Sequence, residues 1–516
     1  MGGNADMYVV TGDEMRRIDA FTMDQVGISD MMLMENAGSA VFSRLLQRIE
    51  PSGSRILVLI GTGNNGGDGF VIGRKLMEAG FETDIWVVPP DEKIRGAAKG
   101  HADVFAKCGH RYGSFEKDSS LFYEKLPSYT HIIDCLLGTG VKGELRSPYQ
   151  EVVDAVNRTH ACVISVDMPS GIPAEEGAPA AAGIRADRTM ILQAPKETTF
   201  LFPYAESFGE WEVADIGIPD CSFKNSGITK YVRGESDVCR TLPKRKANVH
   251  KGANGKGLVV GGSRGMPGAL SLTTLAALRT GIGLCTVALP EDIRLLVTQN
   301  AAEATLVNLP SQDGEIAPDG LEALDLTPYD GVAIGPGMGR AHRYDLYGYF
   351  RVFKGTVVID ADGLNHLSRE LENWKDGRDG LTVITPHPGE MAVLTGKTIK
   401  EVERNRFSIS RQFAREHQMV VVLKGPYTIT STPEGEQWVN TSGNPALAKG
   451  GSGDVLTGMI LASVLQHSHK IEGILNAVYV HGHAADQLIH ERDELGVTAS
   501  DVINQLPRAF HSLRYP

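Results

Sequence analysis

The sequence predicts two α/β domains, the first a doubly wound parallel sheet and the second a three-layer α/β/α arrangement. Short apolar runs alternate with helix-length segments, and glycine clusters follow the apolar runs directly. That alternation fades in a polar stretch near residues 220–255 and then starts afresh. A length of 516 residues allows roughly two to four domains at the usual domain size. The expected division is 1–225 and 226–516.

Composition narrows the class. Hydrophobic residues at 42% and charged residues at 22% describe a globular chain and exclude a disordered tail, a collagen and a coiled-coil rod. A net charge of -12 repels phosphate backbones and acidic membranes, so neither nucleic acid nor a membrane is an expected partner. The 59 glycines exceed the ordinary share of roughly 7%, and their clustering predicts ligand loops. Cys108, Cys135, Cys162, Cys221, Cys239 and Cys285 have no paired spacing, which fits a reducing cytoplasm and neither a zinc site nor a disulfide framework.

In chain order, Gly12 to Glu50 reads as helical, because Met34, Ala37, Val41 and Leu45 recur at three and four residues. Met31, Met32 and Met34 read as core filling. Ile56 to Ile60 is a strand that enters GTGNNGGDG (Gly61 to Gly69), followed by a helix and a second strand around Ile85 to Val88. HIIDCLLGTGVKGE and ACVISVDMPSG repeat the pattern, which predicts a parallel sheet. Cys221 to Gly255 reads as the boundary, with Lys244 to Lys246 a solvated hinge. Beyond it come GLVVGGSRGMPGAL, DGVAIGPGMG, TVVIDADGLN, LTVITPHPGE and VVVLKGPYTI, and YTITSTPEGEQWVN reads as a hairpin punctuated by Pro433, Glu434 and Gly435.

Gly61, Gly63 and Gly66 have the spacing of a dinucleotide fingerprint after a strand, a Rossmann-like feature. The ribose-binding carboxylate of that motif is missing, since Asp91 and Glu92 fall about thirty residues after the loop rather than twenty. Asn64, Asn65 and Asp68 instead place oxygen donors where a hard cation or a substrate hydroxyl could sit. A competing reading makes the loop a tight turn with Asp68 as a helix cap. Asp134, Asp167 and Ser170 stand at two further strand ends and could share one crevice with Asn65. Lys142, in a glycine-bracketed loop, could hold a negative group or shift a carboxylate's pKa.

These motifs, with LMENAG (Leu33 to Gly38), QAPK (Gln193 to Lys196) and WEVADIGIP, resemble the NAD(P)H-hydrate epimerase family from about Val10 to Pro219. The resemblance implies that Asn64, Asn65, Gly66, Gly67 and Asp68, then Gly138, Thr139, Gly140, Val141, Lys142, Gly143 and Glu144, and also Asp167, contact the substrate. It implies a potassium ion held by Asn65, Asp134 and Ser170. The substrate carries a hydroxyl beside the ring nitrogen, and inverting that carbon needs proton transfers. Asp167 is the candidate acid/base, with Lys142 assisting.

In the second half, Gly450, Gly451 and Gly453 let backbone amides approach an anion at the start of a helix. Asp454 follows, placed to take a proton from a hydroxyl being phosphorylated, with a helix cap as the competing reading. This is a ribokinase-like pattern. GKGLVVGGSRGMPGAL, GPGMG, HPGE, KGPYT and GGSGD together resemble the ADP/ATP-dependent NAD(P)H-hydrate dehydratase family from about Leu242 onward. That resemblance implies substrate contacts from Ala269, Gly337, His387 and Asp454. It implies Mg2+ with ADP or ATP held by Lys424, Gly425, Pro426, Tyr427, Thr428 and Gly453.

As a whole the chain resembles the bifunctional NAD(P)H-hydrate repair family, a cytoplasmic and self-associating metabolite-repair fusion of isomerase and lyase. The two-domain order favours ADP without deciding it. A small-molecule kinase with an accessory first half, or a first half that only senses nucleotide or binds protein, are the competing readings.

Overall fold

The apolar run of the first half forms strand β1, Arg55–Ile60, whose residues from Ile56 onward are fully buried. The structure is a computed structural model that describes residues 7–140, 143–178, 182–245, 248, 250–375 and 377–515. It divides into two compact units, Met1–Ile228 and Thr229–Pro516.

In the first unit β1 is joined by β2 (Glu82–Val87), β3 (Gly113–Ser114), β4 (His131–Cys135), β5 (Cys162–Val166), β6 (Arg188–Leu192) and β7 (Glu210–Ala214). The seven-stranded sheet runs β3-β2-β1-β4-β5-β6-β7 with every pairing parallel. Strand order reverses at β1 and β4, so loops from their carboxyl ends diverge and leave a crevice. Helices α1 (Gly12–Phe21), α2 (Asp30–Leu45) and α3 (Asn64–Glu78) position its walls. Thr11 and Glu14 form a capping box that starts α1, and Ser29 caps α2.

Two expectations change here. The segment read as one helical pattern is interrupted after Val26, where Gly27 takes a left-handed φ of 86°. Of the three methionines only Met34 is core, against Gly67, whereas Met32 is 57% exposed. The helical stripe runs Met34, Ala37, Val41 and Leu45, all buried, and Met32 lies off it.

The second unit contains β8 (Lys230–Arg233), β9 (Lys256–Val260), β10 (Leu284–Pro290), β11 (Thr305–Leu309), β12 (Gly331–Ile334), β13 (Thr356–Ile359), β14 (Thr382–Ile384), β15 (Val420–Leu423), β16 (Ile429–Ser431) and β17 (Gln437–Asn440). Its sheet runs β8-β17-β16-β15-β14-β13-β12-β9-β10-β11. From β11 to β15 all pairings are parallel, and β15, β16 and β17 form the antiparallel turnback expected of the hairpin. The polar stretch read as the boundary, within which the two units divide, holds helices Asp220–Asn225 and Glu235–Thr241 with β8 between them. Arg233 anchors β8, because it is a buried cation donating to Glu472 and Asn476, each at 2.6 Å, which gives a polar sequence a tertiary partner.

Separate apolar clusters pack on the two faces of this sheet, the α/β/α layering the sequence predicts. Helix α4 (Pro267–Thr280) crosses α5 (Ser452–Gln466), which is buried from Val455 to Val464. Gly458 permits their closeness, since a Cβ there would lie 2.0 Å from the Thr273 carbonyl oxygen. Among the described residues no helix is long and apolar enough to cross a membrane.

Candidate functional site

In the first unit, the glycine-rich segment is not a loop. Asn64 to Gly69 form the first turns of α3, capped by the Gly63 backbone without a side chain. Two contacts require the glycines: a Cβ on Gly61 would stand 1.7 Å from the Leu136 carbonyl oxygen, and one on Gly66 2.1 Å from that of Gly61. Asp68 is therefore inside the helix and 6% exposed, not a cap.

Asn65, beside it, is buried and donates through Nδ2 to the carbonyls of Leu137 at 3.0 Å and Val166 at 3.1 Å. Its Oδ1 has no hydrogen-bond partner among the described residues. Asp134 is fully buried and accepts from Ser165 Oγ at 2.8 Å, Ser170 N at 2.9 Å and Ser170 Oγ at 2.5 Å. Burial raises its pKa, and the hydrogen bonds from Ser170, Ser165 and the Leu136 amide oppose that rise. The Leu137 amide donates to Ser170 Oγ at 2.9 Å, which ties this group to the carbonyl held by Asn65. One buried carboxylate, a hydroxyl, an orphaned amide oxygen and two carbonyls thus collect where β4 and β5 end. Such a set, with few negative oxygens, suits a weakly charged hard cation.

Asp167 follows β5 with a left-handed φ of 66°, a conformation that costs a non-glycine residue about 1–3 kcal/mol. Its carboxylate contacts the Lys196 ammonium and accepts the Leu192 amide at 3.2 Å. A Cβ on Gly138 would stand 3.6 Å from Asn65 Cβ and 3.9 Å from Asp167 Oδ2, so these three share one wall. Asn64, Gly140, Gly143 and Glu144 are exposed at the rim, and Thr139 is half-buried. Val141 and Lys142 lie outside the described residues. Two residues to which the sequence reading gave no role stand beside Asp167: Lys196, which pairs with it, and Asp19, which feels its charge. Lys196 had a signal, a lone lysine just past the end of β6. Asp19 had none, as an acidic residue on an amphipathic helix reads as solvated.

In the second unit, successive strand ends deliver the site. Asp360 follows β13 and is 1% exposed. It accepts from Lys424 Nζ at 2.9 Å and Thr457 Oγ1 at 2.5 Å. Lys424 follows β15, and Glu390 lies 3.9 Å from its Nζ. Burial disfavours its charge, but Asp360 and Glu390 hold its pKa above the ordinary lysine value. His387 and Glu390 follow β14 and start helix Pro388–Thr395, where His387 Nδ1 accepts the Gly389 and Glu390 amides at 3.0 and 3.2 Å. His387 is thus a capping residue, its pKa lowered by burial and the neighbouring Lys424.

Helix α5 is preceded by Gly451 at its N-cap, which has a φ of 91° and offers no side-chain cap, so Asp454 is not the cap. Burial and the nearby Asp360 carboxylate push Asp454 up to about 7, with Lys424 opposing. A Cβ on Gly453 would approach Lys424 Nζ to 3.1 Å. Gly337, with a φ of 61°, packs on α4 so that a Cβ there would lie 3.1 Å from Ala269 Cβ. The loop Lys424 to Thr428 is shaped by buried Arg406, whose Nη2 donates to the carbonyls of Leu423, Lys424 and Tyr427 at 3.0, 3.3 and 2.9 Å. Burial lowers that guanidinium to about 10. Asp360, Glu390, Arg406 and Thr457 were missed by the sequence reading. Asp360 was findable, because it ends a parallel strand just as Asp134 does.

Residues 30–198 match the family described as YjeF-related protein N-terminus, and residues 257–508 match the NAD(P)H-hydrate dehydratase family. The chain is 34% identical to the bifunctional NAD(P)H-hydrate repair enzyme of Moorella thermoacetica, covering 98% of this chain and 97% of that one. The same identity and shares apply to the protein of that name from Thermofilum pendens. A solved ADP/ATP-dependent NAD(P)H-hydrate dehydratase from Bacillus subtilis, co-crystallised with ATP and Mg2+, is 34% identical, covers 55% of this chain and 98% of its own, and gives a TM-score of 0.49.

Proposed function

We propose how two sites divide the work in this chain, which belongs to the family of bifunctional NAD(P)H-hydrate repair enzymes. Its first unit epimerises the R and S hydrates of NADH and NADPH, and its second dehydrates the S hydrate with ADP or ATP, releasing phosphate. Spontaneous hydration yields both configurations, so a dehydratase selective for one would strand the other without the epimerase.

In the second unit Asp454 takes the proton of the substrate hydroxyl as its oxygen attacks the terminal phosphoryl group. A carboxyl with a pKa of about 7 is matched to that task near neutral pH. Amides of the first turn of α5, freed by Gly451 and Gly453, receive the phosphoryl oxygens, and Lys424 adds positive charge. The oxygen then leaves as phosphate, with the ring nitrogen supplying electrons and the adjacent carbon losing a proton, which restores the dihydronicotinamide. Ala269, Gly337 and His387 line the substrate side, and Lys424, Gly425, Pro426, Tyr427, Thr428 and Gly453 the nucleotide side. Mg2+ bound with the nucleotide supplies charge to the phosphates.

In the first unit Asp167 acts as acid/base, with Asn64 to Asp68, Gly138 to Gly140, Gly143 and Glu144 framing the substrate. The share assigned to Lys142 rests on its motif, and Val141 stands with it. Asn65, Asp134 and Ser170 would hold K+, whose positive charge would compensate the buried Asp134 carboxylate. A cytoplasmic location and self-association complete the reading.

The observation that carries it is Asp454 in the first turn of α5, beside Gly453 and the Lys424–Asp360 pair. Purified protein incubated with mixed hydrates and ADP, then ATP, should restore the absorbance of the reduced nicotinamide and release inorganic phosphate. A stable phosphorylated product instead would make the second unit a kinase, and no change with either nucleotide would remove the dehydratase reading.

A further inference from the structure

Asp68 stands one helical turn after Asn65 on α3, the residue that shares a wall with Asp167, and both Asp68 and Asp19 feel the Asp167 charge; among the described residues the Lys196 ammonium pairs with the Asp167 carboxyl alone. Lys196 is 1% exposed; its Nζ contacts Asp167 and donates to the Ala194 carbonyl at 3.1 Å. Its backbone is held by a parallel bridge to Val10, flanked by hydrogen bonds of 3.0 Å from Val10 N to Pro195 O and 3.1 Å from Glu197 N to Val10 O. The lysine therefore has little freedom to serve another partner. Asp68, from α3, is 6% exposed; burial and the Asp167 and Asp19 carboxyls dominate its surroundings, with no cation or hydrogen bond among them, and the buried Cys135 thiol of β4 feels its charge. Burial, then Asp167 and Asp19, push its pKa well above the carboxylate range. Asp19, from α1, is pushed up to about 6 by burial, with Lys196 opposing and Asp167 adding. The remaining titratable groups of the neighbouring loop are Lys142, outside the described residues, and Glu144 and Arg146, both exposed.

Inverting the hydroxyl-bearing carbon needs one proton taken and one given. We propose that Lys196 sorts the two roles: Asp167, against the ammonium, takes the hydroxyl proton, and Asp68, without one, gives a proton to the ring nitrogen. This rests on the epimerase reading and assigns its acid. As Asp167 removes the hydroxyl proton, the carbon–oxygen double bond forms and the carbon–nitrogen bond breaks. Its electron pair goes to nitrogen, which takes the proton of Asp68. Rotation about the carbon–carbon bond turns the aldehyde, and nitrogen attacks its other face. Asp68 recovers the nitrogen proton and Asp167 returns its own to oxygen. Nothing is oxidised or consumed. Asp167 and Asp68 are catalytic residues in this scheme, and Lys196 is a positioning residue.

The test uses the full chain and separated R and S hydrates, without nucleotide, across about pH 5 to 9. Asp68→Asn should lower kcat for exchange by on the order of 10²–10³ with little change in KM, and should lose the fall in rate at high pH. Lys196→Met should slow exchange and move the low-pH limb upward, and Lys196→Arg should move it back. ADP-dependent dehydration of the S hydrate and thermal unfolding report whether each variant folds. Exchange by Asp68→Asn within about threefold of the parent, or a low-pH limb unmoved in Lys196→Met, overturns the assignment while the epimerase reading stands. Parent protein that leaves exchange at the spontaneous rate overturns both.

Discussion

Lys424 Nζ and Asp360 Oδ1 lie 2.9 Å apart where β15 and β13 end, and Thr457 of α5 bonds the second oxygen of the same carboxylate at 2.5 Å. Strand ends and the helix N-terminus are thus coupled through one buried charge. Lys424 is held in place before any phosphate arrives, so little of its side-chain entropy remains to be lost on binding.

Removing that cation should cost both stability and binding. Lys424→Met strands the Asp360 carboxylate, and loss of one partner of a buried pair typically destabilises by about 3–5 kcal/mol. Lys424→Met with Asp360→Asn should recover much of the unfolding midpoint in thermal melts, yet leave ADP affinity in calorimetry as weak as in the single variant. Recovery of both would mean that the lysine only balances the aspartate.

The pH profile of dehydration should report Asp454. The carboxyl must be ionised to accept a proton, and its pKa is about 7. The rate should therefore fall below that pH, toward tenfold per unit, and level off above it. Stability runs oppositely: the folded state holds this proton more tightly than the unfolded chain, so the contribution is complete below the ordinary carboxylate pKa and is lost as pH rises through about 7. Asp454→Asn should abolish dehydration, leave epimer exchange intact and raise stability at pH 8 by on the order of 1 kcal/mol. Calorimetry at pH 5 and about pH 8 checks the second part.

Gly453→Ala places a methyl group 3.1 Å from Lys424 Nζ. The lysine cannot retreat without stretching its bond to Asp360. We expect KM for ADP to rise roughly tenfold, with the thermal midpoint little changed, because the site is at a helix start and not in the core. Steady-state kinetics at varied ADP distinguish this from a loss confined to kcat.

Asn65→Ala deletes the one buried amide whose oxygen is left unpaired among the described residues of the first unit. Epimer exchange should rise with KCl in the parent protein and lose that dependence in the variant, with a rate at least about tenfold lower. Titration with choline chloride at equal ionic strength separates a bound ion from general screening.

Local patterning was enough for the layered α/β class, the strand preceding each glycine cluster and the hairpin that ends in β17, and it singled out Asn65, Asp134, Asp167, Ser170, Gly453 and Asp454 as candidates. These signals are short in range: period, turn chemistry, and a polar residue at the end of an apolar run. Proximity between distant segments is not. Lys196 meets Asp167 because β6 lies beside β5, and Asp360 meets Lys424 and Thr457 because parallel strands return to one edge under α5. Met32 looked like core and is exposed, while Lys196, seen in the sequence only as the end of a motif, is buried. A side chain's character says what its burial would cost, and the partners that offset the cost come from elsewhere in the chain.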